Sequence, residues 1–508
     1  MPFIDLDAVS FDPEIRLLVP EEICRRYQLL PFKLEGREVA VAIGEMLNVE
    51  GERLVEYLTG KHVTPYFAFQ DQIEARIREY YAGEAGSSPD TGGEATPYTL
   101  RIQGERSGET GSPIVDLVNR IIGEAIHREA SDIHIEPKEN KVVVRIRVDG
   151  VLRNLMEIPK ENQQAVVSRI KIISNLDIAD SRRPQDGKAK VVYNDHNIDL
   201  RVSTVPTNLG EKVVIRILDS RKAKVSFEQL GVRGRNLELL EQCFSFKEGM
   251  VLVTGPTGSG KSTTLYAALN RLRSTTNNIM TIEDPVEYRL EGINQVQVNE
   301  KAGVTFAAAL RSFLRQDPDV ILVGEIRDRE TAEIAVQAAL TGHLVLSTLH
   351  TNDAFATLTR LMDMGVDAVK AGEAIQAVIA QRLVRRLCPQ CRLETEPDEM
   401  EKKLIPLMKR LNCEPRFFRA RGCPHCGFTG YKGRTGVYEI LILDNDLKAM
   451  ILRQAPLYEV RKAAREKGFR NLYEDALNLI SEGITDYREV LRVIHPDSDQ
   501  AVELEAME

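Results

Sequence analysis

Tryptophan is absent from this 508-residue sequence, and aromatic residues make up only 6% of it. The hydrophobic cores must therefore be built mainly from aliphatic side chains. No apolar stretch approaches the ~20 residues that a membrane-spanning helix needs. The first residues lack a basic segment followed by an apolar run, so no signal peptide is predicted. These absences together predict a cytoplasmic protein.

An excess of positive charge is also missing. Lys and Arg number 67 and Asp and Glu number 76, which gives a net charge of −9. A net acidic chain does not as a whole attract the phosphate backbone of a nucleic acid. A surface of interleaved aromatic and basic residues, on which bases could stack, is not evident either. Nucleic-acid binding is therefore not expected.

Length and local composition predict an α/β protein of several domains. The segment 82–97 is rich in Gly, Ser, Pro and acidic residues, which is typical of a flexible linker. The predicted segments are a small N-terminal α/β domain (1–81), the linker (82–97), a second N-terminal domain (98–222), an α/β core (223–386), a cysteine-bearing segment (387–430), a helical region (431–495) and an acidic disordered tail (496–508).

Periodicity predicts some elements within these segments. In the first domain we expect a helix near 20–27, strands near 30–34 and 39–43, and a closing helix at 70–81. A helix is also expected over 400–411, within the cysteine-bearing segment.

The most specific motif is a glycine-rich segment between an apolar run (250–253) and a predicted helix (262–272). It matches G-x-x-x-x-G-K-[ST] at every fixed position. Its glycines let backbone N–H groups converge on phosphate oxygens, and the following helix N-terminus adds a favourable dipole. We expect Lys261 to reach the β- and γ-phosphates and the Ser262 hydroxyl to bind Mg²⁺. The predicted nucleotide-binding residues are Gly255, Pro256, Thr257, Gly258, Ser259, Gly260, Lys261, Ser262 and Thr263.

Two acidic segments follow this motif, each at the end of an apolar run. Glu283, Asp284 and Glu287 come after the short run 279–282, and Glu325 ends the run 320–323. Carboxylates at the carboxyl ends of parallel strands lie where open α/β sheets bind ligands. Read singly, each acid is more often a helix cap or part of a solvated turn, but two carboxylate-ended strands downstream of a phosphate-binding motif favour a hydrolytic site.

Two histidines frame a further apolar run. His343 begins the run and His350 ends it. An isolated histidine is more often a hydrogen-bonded core residue than a catalyst, so the residues alone leave both interpretations open.

Four of the seven cysteines form two C-P-x-C pairs, and this spacing is typical of a structural zinc site. The pairs are Cys388 with Cys391 and Cys423 with Cys426. In a reducing compartment, such pairs favour a metal over a disulfide, although a disulfide, a redox pair and inert thiols are the alternatives. Four thiolates would close a tetrahedral Zn²⁺ site and leave no open position for catalysis.

The nucleotide-binding motif and its acidic and histidine segments, taken in this order, resemble those of the secretion ATPase superfamily. The four motifs are GPTGSGKSTT (255–264), TIEDPVE (281–287), DPDVILVGEIRD (317–328) and TGHLVLSTLHTNDA (341–354). The resemblance extends upstream, to Ala130–Pro137, Arg183–Gly187 and Arg201–Thr204. It covers about 110–440 strongly and the first domain more weakly.

This resemblance implies a P-loop ATPase with a RecA-like core and a PAS-like second N-terminal domain, assembled as a homo-hexamer with ATP between subunits. Glu287 would polarise the attacking water, and Glu325 would act through Mg²⁺. Arg201 and Arg216 would reach ATP from the second domain; without the resemblance, both would be interpreted as solvated strand residues. His343 and His350 would form the His box.

The resemblance further implies that the first domain docks on inner-membrane platform proteins, with a contribution from anionic lipid. Retraction ATPases lack the cysteine segment, so the chain resembles the secretion and assembly branch. A type II secretion ATPase is the leading interpretation and a type IV pilus assembly ATPase the close alternative. A nucleic-acid translocase and a non-hydrolysing scaffold are less favoured.

Overall fold

The structure is a computed structural model of the chain. It describes residues 2, 4, 6, 9, 11–12, 15–19, 21–44, 48–81, 98–103, 113–219 and 225–494. The predicted linker (82–97) and tail (496–508) lie outside the described residues. The chain divides into two compact units, Met1–Ala95 and Thr96–Glu508.

The first unit is a small α/β domain with its own aliphatic core. Its three-stranded sheet has the order β1-β2-β3, with β1 and β2 antiparallel and β2 and β3 parallel. The predicted strands and closing helix are confirmed, whereas α3 and β3 were not predicted. The elements are α1 (Ile15–Leu18), α2 (Glu21–Arg26), β1 (Leu29–Glu35), β2 (Glu38–Ile43), α3 (Val49–Thr59), β3 (His62–Phe67) and α4 (Gln70–Tyr81).

The second unit begins with an antiparallel seven-stranded sheet of order β4-β8-β9-β10-β5-β6-β7. Helices α5 and α6 contribute to the aliphatic cluster on one face of this sheet. The elements are β4 (Leu100–Ile102), α5 (Pro113–His127), β5 (Asp132–Pro137), β6 (Lys141–Val148), β7 (Val151–Pro159), α6 (Gln163–Ile173), β8 (Gln185–Tyr193), β9 (His196–Thr207) and β10 (Gly210–Asp219).

Strand alternation places charged side chains on the other face of this sheet. On β9, Ile198, Leu200 and Val202 are buried in the cluster. Because successive side chains point to opposite faces, Arg201 lies on the opposite face. Arg216 is its partner across the β9–β10 pair, so the two arginines are neighbours on that face.

The ATPase core contains a second seven-stranded sheet, of order β13-β12-β14-β15-β11-β16-β19. All its neighbouring strands are parallel except the last pair, β16 and β19. The elements up to β16 are α7 (Gly234–Cys243), β11 (Gly249–Thr254), α8 (Lys261–Leu272), β12 (Ile279–Glu283), β13 (Asn294–Gln297), α9 (Phe306–Phe313), β14 (Val320–Val323), α10 (Arg329–Leu340), β15 (Leu344–Leu349), α11 (Ala354–Asp363), α12 (Ala368–Ala374) and β16 (Ile375–Leu387).

Both faces of this sheet are buried, which explains the continuous apolar runs of its strands. On β11, Met250 and Leu252 belong to the cluster that includes α9 to α12. The alternate residues, Val251 and Val253, pack with α7 and α8 on the opposite face.

The remaining segment begins with the cysteines and returns to the ATPase sheet. Its elements are β17 (Arg392–Thr395), α13 (Glu399–Lys402), α14 (Ile405–Arg410), β18 (Phe417–Ala420), β19 (Tyr431–Ile442), α15 (Asn445–Leu452), α16 (Leu457–Glu466), α17 (Leu472–Ser481) and α18 (Tyr487–Val493). The predicted helix over 400–411 is instead the two short helices α13 and α14. Because β19 pairs with β16, the ATPase sheet continues beyond the predicted boundary at 386.

Across the described residues, no helix combines the length and apolar character that crossing a bilayer requires.

A buried carboxylate docks the last helix, α18, on the ATPase sheet. The Glu489 side chain accepts hydrogen bonds from the Arg385 backbone N–H at 3.0 Å and from its guanidinium at 2.7 Å. Arg492 donates to the same carboxylate at 2.6 Å. Burial alone would raise the pKa of Glu489, but the side-chain hydrogen bonds of Arg492 and Arg385 bring it below its usual value.

Glu489→Gln should lower the free energy of unfolding by about 2 to 4 kcal/mol at pH 7, because two guanidinium groups lose a buried counter-charge. A lowered folded-state pKa stabilises the fold above the unfolded pKa of about 4.3, and this stabilisation is lost as pH falls through the folded value. In denaturant titrations, the difference in the free energy of unfolding between Glu489→Gln and wild type should therefore be constant above about pH 5 and should become smaller at lower pH.

Glu482→Gln is the control, because Glu482 is exposed and its nearest ion-pair partner, Arg233, lies 3.6 Å away. Its effect should stay within about 0.5 kcal/mol. Equal losses in the two variants would contradict the role given to Glu489.

Candidate active site and metal centre

The glycine-rich loop joins β11 to α8 at the carboxyl edge of the ATPase sheet. Two of its glycines are required by the neighbouring strand β16. A Cβ on Gly255 would lie 2.5 Å from the backbone carbonyl oxygen of Gln381, and one on Gly260 would lie 2.8 Å from the side-chain Nε2 of Gln381. Both glycines also have positive φ, at 147° and 90°. The loop can therefore hold this shape only with glycine at these positions.

Lys261, at the start of α8, is folded back over this loop. Its Nζ donates hydrogen bonds to the carbonyl oxygens of Gly255 at 2.8 Å and Pro256 at 3.1 Å. Burial lowers the pKa of Lys261 to about 8, and Arg382 contributes in the same direction while Glu325 opposes it. A triphosphate at this position would favour the charged ammonium. The buried Ser259 hydroxyl makes no hydrogen bond within the described residues, so it is available to a ligand.

The acidic segment after β12 divides into residues with different surroundings. Glu283 is buried and fully engaged, since it accepts hydrogen bonds from Thr281 at 2.6 Å, from Gln295 at 3.2 Å and from the Tyr266 hydroxyl. Glu283, Asp284 and Glu287 all line the open cavity beside the loop. Among the three, Glu283 is the one whose carboxylate is held by these three side-chain donors.

Glu325 lies at the end of β14, beside His350 at the end of β15. Its carboxylate contacts Arg327 at 2.6 Å and His350 Nε2 at 3.6 Å. Burial lowers the pKa of His350, and the nearby Lys261 ammonium adds to this effect.

His343 is not part of this group, because it precedes β15 at the opposite edge of the sheet. Its Nδ1 lies 2.9 Å from the Ala338 carbonyl oxygen. The structure thus brings only one of the two predicted histidines to the site.

Both predicted arginines of the second domain reach the same cavity. The Arg201 guanidinium lies 3.0 Å from the Glu287 carboxylate and donates to the Val286 carbonyl at 2.6 Å. Arg216 is held by Asp132, with Nε 3.2 Å from a carboxylate oxygen. These contacts place two positive charges across the cavity from the glycine-rich loop.

The cavity between the second domain and the ATPase core has a volume of about 1020 Å³, which is large enough for a nucleoside triphosphate. The nucleotide-loop residues Pro256 to Thr263 line it, with acidic groups and arginines around them. The lining residues that were not predicted as site residues include Asp132, Arg147, Tyr266, Arg382, Arg434 and Arg492.

The sequence contained information about two of these unpredicted lining residues, Asp132 and Arg147. Asp132 and Arg147 alternate with core residues on β5 and β6, so periodicity could assign them to the polar face of the second domain. Periodicity cannot show that this face meets the glycine-rich loop. Arg382 and Arg492 reach the cavity only through long-range packing, for which the sequence carries no local signal.

The four predicted cysteines form one cluster, and in the chain they lie between the end of β16 and the start of β19. Their sulfur atoms all lie within 4.8 Å of one another. The distances are 3.8 Å for Cys388 to Cys423, for Cys391 to Cys426 and for Cys423 to Cys426. These distances are longer than the S–S bond of a disulfide, which is about 2.05 Å.

This cluster fits a tetrahedral metal ion. Four ligands at a Zn–S distance of about 2.3 Å stand about 3.8 Å apart. The Cys426 sulfur also accepts backbone N–H groups of Cys423 and Gly430, each at 3.2 Å. Burial alone would raise the pKa of Cys426, but these donors outweigh it and lower the value to about 7, which favours the thiolate that metals require.

A glycine-rich loop with its lysine, acidic strand ends beside it and arginines from a neighbouring domain define a P-loop ATPase. Residues 108–492 match the profile of the type II/IV secretion system protein family, and the chain belongs to that family. Residues 1–87 match the MshEN domain.

Curated relatives include both secretion and pilus proteins. The protein named Type II secretion system protein E from Pseudomonas aeruginosa is 45% identical over 506 residues, which cover 97% of this chain and 98% of that protein. Type IV pilus assembly ATPase PilB from Thermus thermophilus is 42% identical over 502 residues, which cover 96% of this chain and 56% of that protein.

Solved structures with the same fold include the pilus retraction motor PilT with bound ADP. It has a TM-score of 0.51 and 26% identity, covering 75% of this chain and 97% of that one. The Legionella pneumophila ATPase DotB has a TM-score of 0.56 at 22% identity, covering 75% of this chain and 96% of that one, and shows the fold alone. The predicted α/β multidomain fold with a RecA-like ATPase core is confirmed.

Proposed function

We propose that this ATPase hydrolyses ATP to ADP and phosphate to power protein secretion through a type II secretion system, by driving pseudopilus assembly. The observation that supports mechanical work is a cavity lined by both Lys261 of the core and Arg201 of the second domain. A nucleotide bound there would touch both domains, so its hydrolysis would change how they are held together. Pilus assembly is the second candidate, favoured by the similarity to PilB.

The secretion assignment is supported by identity. The secretion relative is 45% identical and matches this chain over almost the whole length of both proteins. The PilB proteins are 40% to 42% identical, and the chain spans 56%, 89% and 86% of their lengths.

The site residues can be given chemical roles on this basis. Lys261 would hold the β- and γ-phosphates, and the loop 255–263 would surround them with the backbone N–H groups of its residues other than Pro256. Arg201 and Arg216 would neutralise charge that develops on the transferred phosphoryl group. Glu287 would orient the attacking water, once the triphosphate competes with its carboxylate for Arg201.

A magnesium ion is implied by this class of reaction, and the residues fit it. Ser262 follows the lysine of the loop, and Glu325 follows β14 at the same edge of the sheet, so a hydroxyl and a carboxylate both line the cavity beside the loop. When bound, Mg²⁺ would neutralise phosphate charge. The nearby contact with Arg327 would hold Glu325 in place.

Glu287→Gln should reduce kcat for ATP hydrolysis by about 100-fold or more, because the amide cannot accept a proton from water. ATP binding should remain within a few-fold of wild type. Phosphate-release kinetics and nucleotide titration measure the two quantities separately.

Glu291→Gln is the matched control for this experiment, since Glu291 is exposed and lies four residues further along the chain. It should hydrolyse ATP like wild type. A kcat for Glu287→Gln close to that of this control would remove Glu287 from the mechanism.

We also propose that the cysteine cluster holds one Zn²⁺ in a closed, structural site. The sulfur spacing and the N–H donors to Cys426 support a tetrahedral metal with four thiolates. Since every position would be a protein ligand, the ion would stabilise the junction of β16 and β19 rather than take part in hydrolysis.

Freshly reduced protein should contain about one zinc per chain, measured by mass spectrometry of the metal. Cys423→Ser should lose most of this zinc. Cys413→Ser should keep it, because Cys413 lies outside the cluster and its sulfur contacts Asn478 at 2.7 Å. Wild-type zinc content in Cys423→Ser, or none in wild type, would refute the site.

The assembly is proposed to be a homo-hexamer at the inner membrane, with the first unit docking on a platform protein. This unit has its own core of buried aliphatic residues, and residues 1–87 match a domain distinct from the ATPase region. Anionic lipid would contribute to this attachment, and no nucleic acid is expected as a partner.

The full chain should capture an inner-membrane protein of the type II secretion system from detergent-extracted membranes, identified by mass spectrometry. A chain lacking residues 1–81 should lose this capture, whereas Lys261→Ala should retain it because the nucleotide site is separate from the docking unit. Capture of a type IV pilus platform protein instead would favour the second candidate.

A further inference from the structure

The hairpin between β6 and β7 ends in a two-residue turn that presents a carboxylate. Asp149 and Gly150 form this turn with φ values of 50° and 81°, while Val148 and Val151 are paired beside it. Asp-Gly is a favoured sequence for such turns, because both positions require positive φ. The Asp149 side chain is therefore held at the tip of the second domain.

This carboxylate contacts the ATPase core. The Gly433 backbone N–H donates to Asp149 Oδ2 at 2.9 Å, and Arg434 Nε lies 3.8 Å from Oδ1. Gly433 and Arg434 belong to β19, the edge strand of the ATPase sheet. The Asp149 side chain is only 18% exposed, so water screens this charge-assisted contact poorly.

The position of the contact relates it to the nucleotide. Asp149, Gly150 and Arg434 all line the cavity, as does Arg147, whose guanidinium donates to the Gly150 carbonyl at 3.1 Å. The contact between Arg201 and the segment around Glu287 joins the same two domains elsewhere on the cavity wall. The second domain is thus attached to the core at two places around the nucleotide position.

The cysteine cluster supports the core side of this contact. Gly430 lies just before β19, and its carbonyl accepts the Cys388 backbone N–H at 2.8 Å. Its own N–H donates to the Cys426 sulfur at 3.2 Å. The start of β19 is therefore fixed before the chain reaches Gly433.

We propose that Asp149 is a positioning residue whose contact with the start of β19 keeps the second domain closed over the nucleotide cavity. This inference rests on the proposed ATPase function. Without the contact, a larger share of molecules would have the domain open, and the apparent affinity for ATP would fall in proportion to the closed fraction. At saturation, bound ATP itself bridges the two domains, so turnover would change little.

Asp149→Gly removes the carboxylate and keeps a residue that tolerates the turn. It should raise KM for ATP by about 3- to 10-fold and leave kcat within about twofold. Hydrogen exchange of the peptide containing Tyr431–Arg434 should accelerate in the nucleotide-free protein, because the Gly433 amide loses its acceptor. Asp149→Asn, which keeps an oxygen acceptor, should give intermediate values.

Asp195→Gly is the matched control, since Asp195 occupies the exposed turn between β8 and β9 with φ 63°. It should leave both KM and the exchange rate unchanged. The proposal would be overturned if Asp149→Gly had the wild-type KM for ATP and the wild-type exchange rate. It would also be overturned if Asp195→Gly changed these two quantities as much as Asp149→Gly does. The exchange experiment needs no nucleotide, so it remains decisive for this contact even if the wild-type chain hydrolyses no ATP.

Discussion

The carboxyl ends of parallel strands β11, β12, β14 and β15 meet at one edge of the ATPase sheet, and the rest of the site depends on this convergence. Each strand is followed by a different group at that edge: the glycine-rich loop after β11, Asp284 and Glu287 after β12, Glu325 after β14 and His350 after β15. Because the strands are buried on both faces, their ends cannot move independently. The second domain then needs only to place its arginines opposite this edge.

The charges around the cavity explain how an acidic chain can bind a triphosphate. Several cations face the cavity, and the described carboxylates hold some of them in position, as Glu287 does for Arg201 and Asp132 does for Arg216. The net charge of −9 is therefore a property of the whole chain and not of this site. Ion pairs formed before the nucleotide binds also reduce the cost of ordering the arginine side chains.

The glycine-rich loop, the acidic strand ends and the cysteine pairs could be predicted from the sequence because each is a local pattern. The apolar runs indicated strands of an α/β core, whereas its RecA-like character was implied by the resemblance that the four motifs carry. Arg382 and the contact of Asp149 with Gly433 could not be predicted, since they join residues far apart in the chain. The division of the expected helix at 400–411 was also missed, although Pro406 at the start of α14 was a signal against a continuous helix. Segment boundaries and the roles of individual site residues stay predictions.

The pairing of β16 with β19 affects how the ATPase core can fold while the chain is being synthesised. The phosphate-loop strand β11 is synthesised before both of its sheet neighbours, β15 and β16, and the edge is completed only when Ile442 is available. Contacts of such wide sequence separation form slowly, and unpaired strands are prone to association in the meantime. On the ribosome, the β16 edge of the core would therefore stay unpaired until the cysteine segment and β19 have left the exit tunnel.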